Sequence, residues 1–179
     1  MHFITTFSTL AALLLASALP ASAAGQGHGR VRMNGRIVDT ACAIAAGDRN
    51  QVISISTVPA DQLLLAGHGM AIPFELHLVN CVLTGGDPWH RHRWKDVRIT
   101  FEGIPDEGGR FAIGGTARGE ALVIEDMQGH RAVPGQSMPA TPLSAEGMIL
   151  RYNMRLEADG KPLRPGTVNG AVRFFMDYD

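Results

Sequence analysis

Gly166-Thr167-Val168-Asn169-Gly170-Ala171-Val172-Arg173-Phe174-Phe175-Met176-Asp177-Tyr178-Asp179 decides the fold. From Val172 onward every second residue is large and apolar: Val172, Phe174, Met176 and Tyr178. Arg173, Phe175 and Asp177 lie between them, a mostly polar set. A period of two is the pattern of a strand with one face buried and one face wet. The stretch ends on that strand, so it predicts a sheet edge that something has to cover.

Working back from this edge, the chain offers more strands of the same kind. Leu150, Tyr152, Met154 and Leu156 alternate with Arg151, Asn153 and Arg155. Ile72, Phe74, Leu76 and Leu78 alternate just before Asn80-Cys81, with Pro73 confining that strand's start to an edge or first position. Val97, Ile99 and Phe101 mark another, closed by Gly103 and Pro105. Residues 52–56 (Val-Ile-Ser-Ile-Ser) and 121–124 read as short strands, and residues 111–113 as a shorter piece. Residues 61–65 have room for one helical turn. Residues 84–95 read as a loop opened by Gly85-Gly86-Asp87-Pro88, and three prolines make residues 133–143 irregular. The sum is about seven or eight strands at close spacing, with no amphipathic helix and no internal repeat, which is the pattern of an all-β sandwich.

The first residues do not belong to that fold. Residues 10–16 are an apolar core, and Pro20 and Ala21-Ser22-Ala23 follow as a small-residue cleavage site. Residues 1–23 therefore read as a secretory signal peptide, although the lead carries His2 and no Lys or Arg. The run is too short to span a bilayer. Removing it leaves 179 − 23 = 156 residues, enough for one domain with its own core. The formal net charge of −1 gives no footprint for nucleic acid. Cys42 and Cys81 are an even pair in an exported chain, which predicts one disulfide.

Chemistry is thinly supported. His90 and His92 sit two apart in the 89–95 stretch (Trp-His-Arg-His-Arg-Trp-Lys), but no third ligand for zinc or copper is evident, so no metal is expected. The loop reads instead as a solvated basic segment flanked by two partly buried tryptophans. No serine lies in a nucleophile elbow, and Gly67-His68-Gly69 lacks the strand–turn–helix setting of a phosphate loop. Neither catalytic residues nor a cofactor are expected. More informative is residues 24–34. From Gly27 the odd positions are Gly27, Gly29, Val31 and Met33, and the even ones are mostly polar, so this is an alternating strand whose apolar face tapers to glycine. A detachable first strand and an uncovered last one fit strand addition between molecules. They fit equally a sandwich whose first strand packs on its own domain.

At this point the residues resemble the pilin subunits of chaperone–usher fimbriae of Gram-negative bacteria, over essentially the whole chain after residue 23. The resemblance is carried by residues 35–42 (Gly-Arg-Ile-Val-Asp-Thr-Ala-Cys), by Leu76-His77-Leu78-Val79-Asn80-Cys81, and by a glycine fourteenth from the end and a tyrosine next to last, here Gly166 and Tyr178. It implies an incomplete immunoglobulin-like sandwich, residues 35–179, lacking its seventh strand and closed by the Cys42–Cys81 disulfide. A periplasmic pilus chaperone would fill the resulting groove, its strand running along Val172, Phe174, Met176 and Tyr178 and its basic residues holding the terminal carboxylate of Asp179. At the outer-membrane usher, the extension of a neighbouring fimbrial subunit would replace it. The matching extension here is residues 24–34, with Gly27, Gly29, Val31 and Met33 facing a neighbour's groove. Such a protein is a structural, non-enzymatic component of a surface fimbrium, contributing to adhesion.

Residues 137–143 and 176–179 look most like the minor subunits that terminate and anchor the rod of P-type pili, which donate an extension without accepting one. The extension itself resembles that of a major rod pilin, the first alternative. A standalone exported immunoglobulin-like binding module, or a metal-binding protein using His90 and His92, are the alternatives from other classes.

Overall fold

The computed structural model describes residues 30–35, 40–86, 88, 89 and 91–179. The proposed signal peptide, Gly27, Gly29 and His90 lie outside the described residues. The chain divides into Met1–Ile37 and Val38–Asp179. In the first unit, residues 30–35 form no strand, and Val31 and Met33 are 96% and 92% exposed. A lone alternating segment has no ladder to join, so its pattern by itself produces no strand.

The second unit is built from two sheets. One has the order β1 (Ala43–Ile44), β2 (Ile72–Val79), β9 (Met148–Ala158), β7 (Glu120–Asp126), all antiparallel. The other has β11 (Arg173–Tyr178), β5 (Asp96–Glu102) and β8 (Thr141–Pro142). Two short pairs complete it: β6 (Gly114–Gly115) with β10 (Val168–Asn169), and β3 (Thr84–Gly85) with β4 (His92–Arg93).

Alternation decides which side chains enter the core. Along β5, Val97, Ile99 and Phe101 are buried and their neighbours are not. Leu76 and Leu78 of β2, and Leu150 and Tyr152 of β9, face them from the other sheet. The centre is an aromatic triangle: Phe74 stacks on Tyr152 at 5.4 Å, and Phe101 meets Tyr152 and Phe74 edge-on at 5.1 and 6.2 Å. Two members come from one sheet and one from the other, so the triangle ties the layers together. Burying Phe101 alone stabilises by about 2–3 kcal/mol, and each edge-on contact adds about 1 kcal/mol. The disulfide Cys42–Cys81 joins the start of the domain to the end of β2. It closes a loop of 39 residues' separation.

Several expectations need correction. Residues 52–56 are not a strand: among the described residues no ladder partner reaches them, and Val52 is exposed. The chain just before this segment is pinned to β2 instead. After Ala45 N donates to His77 O, Asp48 Oδ2 accepts from the backbone N of His77 and from its ring Nδ1 (2.9 Å), and Gln51 Nε2 donates to Glu75 O (2.7 Å). Pro73 fits the same edge, since β1 covers only Leu78 and Val79 of β2. Residues 84–95 are not a plain loop but carry the β3–β4 ribbon. Of its two tryptophans, Trp94 packs against the core while Trp89 is 88% exposed. The turn at 61–65 is a longer helix, α1 (Ala60–Ala66), closed by Gly67 in the left-handed conformation. The proline-rich stretch still contributes β8 and a bridge from Ser137 to Thr100.

Candidate functional site: an open groove between the sheets

Across one side of the sandwich the layers do not meet. A cavity of about 570 Å³ lies between residues 48–55, the unladdered segment, and residues 168–174, which run from β10 into β11. Ile53 and Ile55 form one rim, and Val168, Val172 and Phe174 form the other. The floor is apolar: Phe74 and Phe101 of the aromatic triangle, with Ile113, Leu122, Ile124 and Met154. A groove floored by the same side chains that hold the sheets together is an exposed piece of core, and exposed core is costly until something covers it.

Hydrogen-bond accounting along β11 shows what kind of group fits. β11 pairs with β5 in continuous register, Arg173 opposite Glu102 through Tyr178 opposite Val97. Asp179 and Asp96 exchange both backbone bonds, at 3.0 and 3.1 Å. In an antiparallel ladder bonded pairs alternate with non-bonded ones, so Asp177, Phe175 and Arg173 also point their backbone groups at β5. The N–H and C=O of Phe174, Met176 and Tyr178 therefore point away from β5, to the open edge. Their side chains are the half-buried ones facing the groove side, as the alternating burial of β11 shows. The same residues thus offer apolar side chains and unpaired backbone groups together. That combination is met by an extended strand.

The residues singled out from sequence fall into three groups. Val172 and Phe174 line the groove. Met176 and Tyr178 pack against the core beyond its end. There the Tyr178 hydroxyl donates to Cys42 O (3.2 Å), tying the last strand to the disulfide, and Trp94 stands edge-on to the ring at 6.2 Å. Burial pushes the Tyr178 hydroxyl above its usual value, so it stays a donor at neutral pH. The Asp179 side chain pairs with Arg98. Gly166 is no lining residue: it lies against the backbone of Thr116 and Ala117 and sets the course of the chain just before β10. Sequence reading missed the other rim and the floor. Ile53 and Ile55 were visible as an alternating pair, but nothing showed that the pair has no partner. Asp48 was invisible because its partner His77 lies 29 positions away. The backbone N–H of His77, then its ring, holds the Asp48 carboxyl below the ordinary carboxylate range. Among the described residues no group of three His, Cys, Asp or Glu side chains gathers as a metal site.

Comparison with known proteins now decides the family. No protein-family model matches the chain. The sequence is 33% identical over 154 residues to the PAP fimbrial minor pilin protein of Escherichia coli, covering 84% of this chain and 77% of that one. The chain belongs to the fimbrial pilin family. Solved structures agree on the fold: a subunit from a chaperone–usher pilus superposes with a TM-score of 0.68 at 24% identity, covering 86% of this chain and 97% of that one. The P pilus rod subunit PapA gives 0.65 at 19%, covering 78% and 100%. This pilin is a structural subunit of a fimbria, with an immunoglobulin-like sandwich closed by one disulfide.

Proposed function

We propose that this pilin is a minor fimbrial subunit that works by strand donation. Its groove receives an extended strand from a periplasmic chaperone, and residues 24–34 are the strand it gives to a neighbouring subunit at the outer-membrane usher. The observation that carries the reading is the coincidence along β11 of unpaired backbone groups and groove-facing side chains at Phe174, beside an apolar cavity. Strand addition satisfies the backbone groups through a new ladder and covers the floor with alternate side chains. In the extension, Val31 and Met33 are apolar, alternate and almost fully exposed, as a strand waiting for another molecule's groove requires. Residues 1–23 direct export, and residues 35–179 are the pilin domain.

Within the class, the likeness to a minor pilin and the 137–143 and 176–179 stretches support a subunit that ends the rod, giving its extension without accepting one. One observation favours a second reading, an internal subunit: residues 168–174 line an apolar cavity of about 570 Å³ that another subunit's strand could fill. Two experiments separate these. Deleting residues 24–34 is expected to abolish incorporation into detergent-resistant fimbriae, and unchanged incorporation would sink strand donation. Offering the chaperone-bound pilin a synthetic peptide of another subunit's extension tests acceptance. Retention of the chaperone supports the terminating subunit, and its displacement supports the internal one.

A further inference from the structure

The β3–β4 ribbon takes no part in the groove. Its register continues beyond the two strands, since Trp94 N donates to Leu83 O. His92 and Trp94 share one face, their rings 4.3 Å apart, and Trp94 packs against the core. Alternation then places Arg91, Arg93 and Lys95 together on the opposite face, and all three are exposed. Alternate residues on a strand are about 7 Å apart, so the three cations form a line about 14 Å long. Among the described residues, no carboxylate lies within ion-pair distance of any of them. The Asp179 side chain, near Lys95 through the backbone, is taken by Arg98. The neighbouring strand adds Thr84 and Val82 beside the row and no charge. Trp89, which precedes Arg91 in the chain by two positions, is 88% exposed.

A chain with a formal net charge of −1 has placed three cations with no ion-pair partner among the described residues in a single file. The file is one charge wide. A lone phosphate or sulfate would meet one cation, and a membrane surface would want a two-dimensional field of them. A linear polyanion meets all three at once. Two are arginines, whose planar guanidinium takes sulfate or carboxylate oxygens in pairs. A hydroxyl beside the row, from Thr84, and an exposed indole two positions before it in the chain suit a sugar polymer, whose ring faces pack on aromatic surfaces. We infer that the Arg91–Arg93–Lys95 row is a binding strip for a linear anionic polysaccharide.

The test uses the full-length pilin as purified from cells, with a size-fractionated heparin oligosaccharide as probe, neutral dextran as the uncharged control and phosphatidylglycerol vesicles as the membrane control. Heparin binding is expected to weaken about 15–60-fold between 50 and 200 mM NaCl, the loss for three charge contacts with a linear polyanion. Arg91→Ala/Arg93→Ala/Lys95→Ala should lose at least about tenfold at 50 mM. Arg131→Ala/Arg151→Ala/Lys161→Ala, which removes three cations already paired with Glu157, Glu75 and Glu107, should stay within about threefold. If the strip variant fails to fold, each single substitution is expected to lower the slope of log affinity on log salt by about one. The inference is overturned if the control triple loses as much as the strip variant. It is equally overturned if dextran binds as well as heparin, if only the vesicles bind, or if no heparin binding is seen at 50 mM NaCl.

Discussion

Gly166→Ala puts one methyl group where the structure has no room for it. A Cβ built at Gly166 would lie 2.4 Å from the backbone N of Ala117 and 2.6 Å from the backbone C of Thr116. Ordinary contact begins at 3.4 Å, so the two segments must part by about 1 Å. The groups that would part are hydrogen-bonded: Thr116 N and Ala117 N both donate to Thr167 O, at 2.9 and 3.1 Å, and Thr167 N donates to Thr116 Oγ1 at 2.9 Å. Another ångström takes all three beyond bonding range. At about 1 kcal/mol each, the expected loss is about 2–4 kcal/mol, in line with overpacking elsewhere. Against a typical total of about 5–15 kcal/mol this is a large fraction. The assay is equilibrium urea unfolding with the disulfide intact, followed by tryptophan fluorescence. Gly47→Ala is the control, because nothing lies within 4 Å of its Cβ position and its φ is ordinary, so it should be neutral or slightly stabilising. A Gly166→Ala midpoint equivalent to within about 0.5 kcal/mol of wild type would refute the reasoning, since a surface substitution costs no more than that. Residues 168–170 line the groove directly downstream, so the same variant should also bind its groove-filling strand more weakly.

Three further outcomes follow from other contacts. Removing the disulfide as Cys42→Ala/Cys81→Ala is expected to cost about 4 kcal/mol by loop entropy, read from unfolding midpoints of the variant and the oxidised protein. Tyr178→Phe, which deletes only the hydroxyl that donates to Cys42 O, should cost about 1 kcal/mol in the same assay, and no loss would mean that this bond contributes nothing. Asp48→Asn should cost about 1.5 kcal/mol at pH 7, the low end for bonds to a charged group because the His77 side chain is 42% exposed. The Asp48 carboxyl is depressed in the folded state below its ordinary 3.8. Its contribution is therefore present above pH 3.8 and fades as pH falls through the lower folded value, so wild type and Asp48→Asn should converge in acid. A difference that stays constant from pH 7 to pH 2 would contradict the reading that the ionised Asp48 carboxylate holds these hydrogen bonds.

How much of this was legible in the sequence depended on whether a feature is local. The β11 alternation is local, and so are the strands at 72–79, 96–102 and 148–158, because period two needs only neighbouring residues. Residues 52–56 show the limit. They have a strand's composition, but a strand is a relation to a partner, and no ladder reaches them. The β3–β4 ribbon was missed for the opposite reason: its alternation is between cations and aromatics, with no apolar face to mark it. The long-range pin between Asp48 and His77 leaves no local trace at all. The groove was inferred from family resemblance. Its floor of Phe74, Phe101 and Ile113 emerges only once three separate strands and loops are brought together.

The division of labour along β11 has one more consequence. Odd residues are committed to β5, while even residues carry both the free backbone groups and the inward side chains. A strand sliding along this edge by one residue would turn its apolar side chains to solvent and break its hydrogen-bond pattern in the same move. Sliding by two restores both. Position along the groove is therefore not continuous but stepped, with stops about 7 Å apart and barriers between them. A partner seated one stop off would keep its backbone ladder and lose only the fit of its side chains to the apolar floor. That fit is what fixes the count.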